Sequence, residues 1–354
     1  MAIHPRNTSR AMIRNSQTSD SKGSFSSSLT QDSSLSLADD KPRIGISQCL
    51  LGDEVRYDGG HKRDVFLTDV LAPFVEWIPV CPEVEAGLGT PREAMRLAGN
   101  PDAPTLLTIS THVDHTATLQ LFSQRRVREL GECDLDGYIF KKNSPSCGVH
   151  RVKVYTEKGQ PSKQGTGIFS GIFQQAFPLL PVEEEGRLND AVIRENFIER
   201  LFCYRRWKTQ IQNARTSRGS IVAFHTRHKY LLLTHSRSHY EALGKLVASA
   251  GQFTPSQLAQ QYGVLFMEAL KIKATVKKHV NVLQHLAGHL KRYLNADQRA
   301  DLQETIHDYH RQLTPLAVPL TLINHYVRTQ RIPYLEDQVY LNPHPKELML
   351  RNHV

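Results

Sequence analysis

Cysteine is scarce in this chain, with five residues in 354. A small odd number in a chain this long argues against a disulfide framework and for a reducing, cytoplasmic compartment. No apolar run approaches the roughly 18 residues of a membrane helix, so no membrane partner is expected. No repeat period is visible, which removes solenoids and propellers. Acidic residues are sparse in one region only. From Arg205 to the end, 21 Lys and Arg face 9 Asp and Glu, a net of +12, while the rest is −3 and the whole chain +9. Affinity for a polyanion therefore belongs to the C-terminal half, unless the excess is only a solvated basic face.

What is present divides into three stretches. Residues 1–40 are rich in Ser, Thr, Asn and Gln without apolar periodicity, and read as a disordered Ser-rich leader. Residues 41–182 alternate strands and helices. Runs at 43–47, 75–80 and 137–142 have strand character, and a fourth is expected within 149–155. Residues 67–74, 111–130 and 166–177 read as helices. This is the pattern of an α/β fold, a Rossmann-like parallel sheet with helices on its faces. The Pro- and Glu-rich stretch 178–186 reads as a boundary. Residues 187–354 then read as an all-α domain with helices at 219–235, 238–249, 255–293, 297–313 and 316–330.

Three of the strands run into loops that carry a cysteine: Cys49, Cys81 and Cys147. In an open α/β sheet, ligands collect beyond the carboxyl ends of the strands, so three thiolates are expected to meet there. Spacing alone leaves a metal site and three core cysteines about equally open. Cys133 and Cys203 read as core residues. Three thiolates are one short of the cage of a structural zinc ion or a closed iron–sulfur cluster, and an open iron is a Lewis acid. Glu83 and Glu85 follow Cys81, and Ser144 and Ser146 precede Cys147. A carboxylate and a hydroxyl beside an open metal suit general acid–base work. Arg56, the loop 58–62 and Arg92 are candidates for the pocket border, or else a turn and a surface ion pair.

In the helical part, Lys271, Lys273, Lys277 and Lys278 read as lying on one long basic helix, able to follow phosphates. Arg205, Arg206 and Trp207, and Arg227, Lys229 and Tyr230, interleave cations with aromatic rings, a mix suited to structured RNA. The histidine pairs 285/289 and 235/239 lack the glutamate of a zinc-protease helix and read as polar side chains or RNA contacts.

Ser47-Gln-Cys-Leu-Leu-Gly, Val55-Arg-Tyr-Asp-Gly-Gly, Cys81-Pro-Glu-Val-Glu-Ala-Gly-Leu and Ser144-Pro-Ser-Cys-Gly, in that order, resemble the motifs of the thiouracil desulfidase family. Phe224-His-Thr-Arg-His-Lys, Lys271-Ile-Lys-Ala-Thr and Leu341-Asn-Pro-His-Pro-Lys-Glu-Leu resemble the helical domain of the YbgA family. The combination is similar to bacterial desulfidases that take sulfur from 4-thiouridine in transfer RNA. The resemblance implies a [4Fe-4S] cluster on Cys49, Cys81 and Cys147, with Glu83 and either Ser144 or Ser146 as catalytic residues. It also implies thiolated transfer RNA as partner and hydrolysis without an electron donor, leaving uridine and hydrogen sulfide. Small thiolated pyrimidines as substrates, and a non-catalytic RNA-binding protein with structural zinc, are the alternatives.

Overall fold

The computed structural model describes residues 41–353 except Glu157, Asn213 and Ala214, so the expected leader lies outside the described residues. Strands β1 (Arg43–Ser47), β2 (Glu76–Val80), β5 (Gly137–Phe140) and β8 (Val182–Glu184) form a parallel sheet in the order β2-β1-β5-β8. Alternation decides which side chains face which layer. Ile44, Ile46 and Ile139 pack with Leu67 and Leu71 and with Phe197, Ile198 and Leu201 of a long helix. Tyr138 and Phe140 pack on the other face with Val127 and Leu130 of α2 (Thr116–Gly131) and Phe169 and Phe173 of α3 (Ile168–Ala176). Gly45 of β1 is required by this packing, because a Cβ there would drive into the Tyr138 ring.

The α/β expectation is met, and a second sheet is added to it. β3 (Met95–Asn100) and β4 (Ala103–Thr108) form an antiparallel hairpin. β6 (Val152–Tyr155) pairs parallel to β3, and β7 (Pro161–Gly165) antiparallel to β6. The sequence pattern predicts no strand between 80 and 111 and a helix from 111. Among the hairpin side chains only Leu97, Leu106 and Thr108 are buried, so the period-2 signal is weak. The helix itself begins at Thr116, and Asp114 just before it accepts the Thr116 amide at 2.8 Å. Val113 is exposed and lies outside it.

The stretch 178–186 carries β8, so the sheet extends to Glu184. Next comes α4 (Ala191–Trp207), whose first turn is capped by Asp190. Its middle serves the sheet, as above. Its end, Cys203 and Trp207, enters the core of the helical part. That part contains α5 (Arg218–His235), α6 (Arg237–Ala248), α7 (Pro255–Lys271), α8 (Val276–Leu290), α9 (Ala296–His310) and α10 (Ala317–Thr329). Residues 255–293 are thus two helices and not the single long one expected. Ile272 is extended (φ −82°, ψ 118°), and the Thr275 hydroxyl accepts the Lys278 amide to cap α8. Lys271 ends one helix, Lys273 lies in the link, and Lys277 and Lys278 open the next.

Candidate active site

The cavity that opens at the carboxyl ends of β1, β2 and β5 has a volume of about 410 Å³. Cys49 sits in a single turn directly after β1, and Cys81 directly after β2, where it opens the short helix α1 (Pro82–Glu85). Cys147 follows β5 in a turn whose amides are held by Ser144. All three line the cavity and are nearly buried, at 9%, 8% and 5% exposure. Burial pushes the Cys49 thiol up to about 11 and raises those of Cys81 and Cys147; the charge of Cys81 adds to the rise at Cys49, and those of Cys81 and Cys49 to the rise at Cys147. Thiols in such surroundings are inert, so positive charge at the site is needed to make them thiolates.

Among the described residues, no three His, Cys, Asp or Glu side chains converge closely enough to hold a single metal ion. The three thiols are gathered around one space without meeting at one point. Cys133 cannot join them. Its carbonyl accepts from Arg43 at the start of β1, at the opposite end of the sheet. Cys203 is fully buried in the helical core, as expected.

Glu83 projects from α1 into this cavity, and both of its oxygens are engaged. Oε2 pairs with Arg92, and Oε1 accepts the Ser146 hydroxyl at 2.6 Å. Arg92 also donates to the Val55 carbonyl at 3.1 Å, so its guanidinium is fixed from two sides. It is therefore part of a nearly buried pair, not the surface pair that was its alternative. Glu85 turns away and accepts the Cys81 amide at 2.8 Å, tying down the loop. The two serines separate cleanly. Ser146 is fully buried behind Glu83. Ser144 lines the cavity, and its oxygen accepts the amides of Ser146 and Cys147 at 3.2 and 3.1 Å, which leaves its own O–H free to donate into the space.

Cations border the cavity. Arg56 is paired with Asp58 at 3.1 Å, and Lys141 with Glu185. Lys62 and Lys142 also line it, with no ion-pair partner among the described residues. Lys141, Lys142 and Glu185 escaped the sequence reading, because Glu183-Glu184-Glu185 looked like linker. The signal was an acidic run placed at the end of a strand.

The RNA candidates divide. Arg205 reaches Asp134 and Asp136 at 3.2 Å, and Lys208 lies 2.8 Å from both carboxylates, so the basic end of α4 clamps the helix to the foot of β5. Arg206 donates to the Pro343 carbonyl at 2.7 Å. Trp207 stacks on Tyr262 in the core, and Tyr230 is buried, so neither ring is available to a base. Arg227 holds Gln210, and Lys229 lies over Tyr230 and Tyr334. Lys278 donates to the His235 carbonyl at 2.5 Å. Arg205 and Arg206 are thus engaged within the fold, and Lys278 is half-buried with one donor on a backbone carbonyl. Lys271, Lys273 and Lys277 are exposed.

Residues 44–185 match the family model described as 2-thiouracil desulfurase, and residues 229–345 match that of a protein of unknown function, DUF1722. The uncharacterized protein YbgA of Escherichia coli (strain K12) is 31% identical over 137 residues, 38% of this chain and 81% of its own. The chain belongs to the YbgA family, with a 2-thiouracil desulfurase domain in front. The chain is also 28% identical to the uncharacterized protein YbbK of Bacillus subtilis (strain 168) over 152 residues, 42% of this chain and 98% of YbbK. Among solved structures, the [4Fe-4S]-dependent thiouracil desulfidase TudS matches at 27% identity and a TM-score of 0.37, over 45% of this chain and all of that one. The desulfurase match ends just past β8, at Glu185, the residue that holds Lys141 at the cavity.

Proposed function

We propose that the chain is a desulfidase that replaces the sulfur of 4-thiouridine in transfer RNA by oxygen, consuming water and releasing hydrogen sulfide. The observation that carries the reading is one cavity that gathers three thiols and a carboxylate held between Arg92 and Ser146. Three thiols spread around a space too wide for one ion suit a [4Fe-4S] cluster better than zinc. Cys49, Cys81 and Cys147 would hold it. Held by three ligands, such a cluster supplies a Lewis-acidic iron with affinity for a thiocarbonyl sulfur.

The chain's own groups do the rest. Arg92 fixes the direction of the Glu83 carboxylate, and Ser146 occupies Oε1 at rest. A water at Oε1 takes the place of that hydroxyl and loses a proton to Glu83, and the oxygen left behind attacks the ring carbon; the C–S bond then breaks, and the sulfur leaves as hydrogen sulfide with two protons, the one Glu83 took and the one still on the entering oxygen. Ser144 donates its free O–H to the base and so orients it. No step requires an electron donor. The cationic border, with Lys62 and Lys142 free of ion pairs among the described residues, suits a base that arrives attached to phosphate, and the +12 balance from Arg205 onward supports a polyanion. A base within a folded RNA would have to leave its stack to enter. The cavity is also large enough for a free thiouracil, so free base is the second reading.

Nucleoside mass spectrometry of transfer RNA incubated with the anaerobically purified protein tests both readings, with free 4-thiouracil run in parallel. Loss of 4-thiouridine with gain of uridine is expected. Turnover of the free base with untouched RNA would leave the second reading standing.

A further inference from the structure

A second polar cavity, of about 440 Å³, lies beyond the edge strand β8, where the sheet, α3, α4 and the link between α7 and α8 meet. Four cations line it, Arg187, Arg200, Lys271 and Lys273, against one carboxylate, Glu183. Glu183 holds Arg187 at 2.7 Å and lies 3.6 Å from His150. Arg200 gives one N–H to the Val182 carbonyl at 3.4 Å, while its Nε is buried with no hydrogen-bond partner. Lys271 and Lys273 are exposed and carry no ion pair among the described residues. Such a site has positive charge to spare and a buried donor without an acceptor.

β8 joins this groove to the active cavity. Glu183 lines the groove. Glu184 accepts the amides of Val149 and His150, just past Cys147. Glu185 holds Lys141 and Lys142 at the active cavity. Two strand residues span about 7 Å, so the groove is a near neighbour of the cavity.

We propose that this groove binds a backbone phosphate of the RNA that carries the thiolated base, gripping the strand beside the nucleotide that enters the cavity. The inference rests on the RNA reading of the substrate. Its ligand is a phosphodiester, read by charge and not by sequence. The break between α7 and α8 gains a role by this account, since it carries Lys273 to the sheet edge.

The test is fluorescence anisotropy of the full-length protein with labelled transfer RNA over a salt series. Lys271→Glu/Lys273→Glu is expected to weaken binding at least 10-fold and to flatten the salt slope by about 1.4, for two contacts to unpaired strand. Lys271→Arg/Lys273→Arg should bind like the parent. Lys291→Glu/Arg292→Glu, in the cationic cavity lined by the end of α8, the turn after it and Arg299 of α9, should lose less. An unchanged Tm checks the fold. If the reversed pair unfolds, Lys271→Ala/Lys273→Ala is read the same way. Parent-like affinity and slope in the groove variant, or an equal loss in the α8–α9 variant, overturns the groove and leaves the RNA reading intact. A parent protein that turns over free 4-thiouracil but binds no RNA overturns both.

Discussion

Both halves of the molecule bury charge, and they do so differently. In the helical half, Glu199 accepts from His235 at 2.5 Å and from Arg351 at 3.1 Å, Arg351 reaches Glu195 at 3.1 Å and the Tyr340 carbonyl at 2.7 Å, and His279 meets the Tyr340 hydroxyl at 3.0 Å. Every one of these groups is answered by another. A cavity of about 250 Å³ touches the cluster, but the polar atoms already hold each other. In the α/β half, Glu83 also has both oxygens engaged, by Arg92 and Ser146, but it lines the cavity beside an uncommitted Ser144 proton and three thiols. Buried charge alone is therefore a poor sign of a site. Polar valence left open toward a cavity is a better one.

The sharpest way to break the comparison is to remove groups from the open set. Cys147→Ala should abolish both the visible absorption of the anaerobically reconstituted protein and its turnover of 4-thiouracil. Glu83→Gln should keep the absorption and lose roughly 10²- to 10⁴-fold in turnover, the range for a general base. Ser144→Ala should cost more than Ser146→Ala, because Ser146 acts through Glu83 and water can take its place. Full turnover by Cys147→Ala, or a Ser146 loss exceeding that of Ser144, would reverse the assignment.

The closed set should answer in stability instead. Glu199→Gln removes one partner of a buried network and is expected to cost about 3 kcal/mol, read as a lower urea midpoint with free-base turnover intact at permissive temperature. Burial alone would raise the Glu199 carboxyl, but His235 and Arg351 override it and bring it down to about 2 from 4.5. A depressed carboxyl stabilises the fold above its unfolded value, and that contribution disappears as pH falls through the folded one. The gap between parent and variant should therefore be widest at neutral pH and close between about 4.5 and 2. A gap that stays constant over that interval would mean the charge of Glu199 contributes nothing.

The open site was more legible in the sequence than the frame around it. Buried strands running straight into Cys49 and Cys81 gave the chain direction and the end of the sheet together, which is enough to gather ligands. The hairpin β3–β4 went unseen because half-exposed strands carry little alternation. The break at 272–275 went unseen because Ile272 and Val276 keep helical spacing while a side-chain cap by Thr275 overrides it. Arg205 looked like an RNA contact because its partners, Asp134 and Asp136, lie some 70 residues earlier. A charge excess counted along the chain cannot tell which cations are already spent.

Those spent cations bear on how separate the two halves are. α4 places Phe197, Ile198 and Leu201 in the core under the sheet and Cys203 and Trp207 in the core of the helical part, with Arg205 and Lys208 pinning it to the foot of β5. A helix shared in this way should make the halves unfold together. Asp190 offers a mild probe, since its Oδ1 accepts the Ile193 amide at 3.0 Å at the first turn of α4 and touches neither core. Asp190→Ala should cost about 1 kcal/mol. The size matters less than the form. With a shared helix, calorimetry should give one transition moved down by a few degrees, because the lost cap weakens both halves at once. If the transition splits in two, with only one part moved, α4 belongs to that half alone and the halves are independent domains that merely touch.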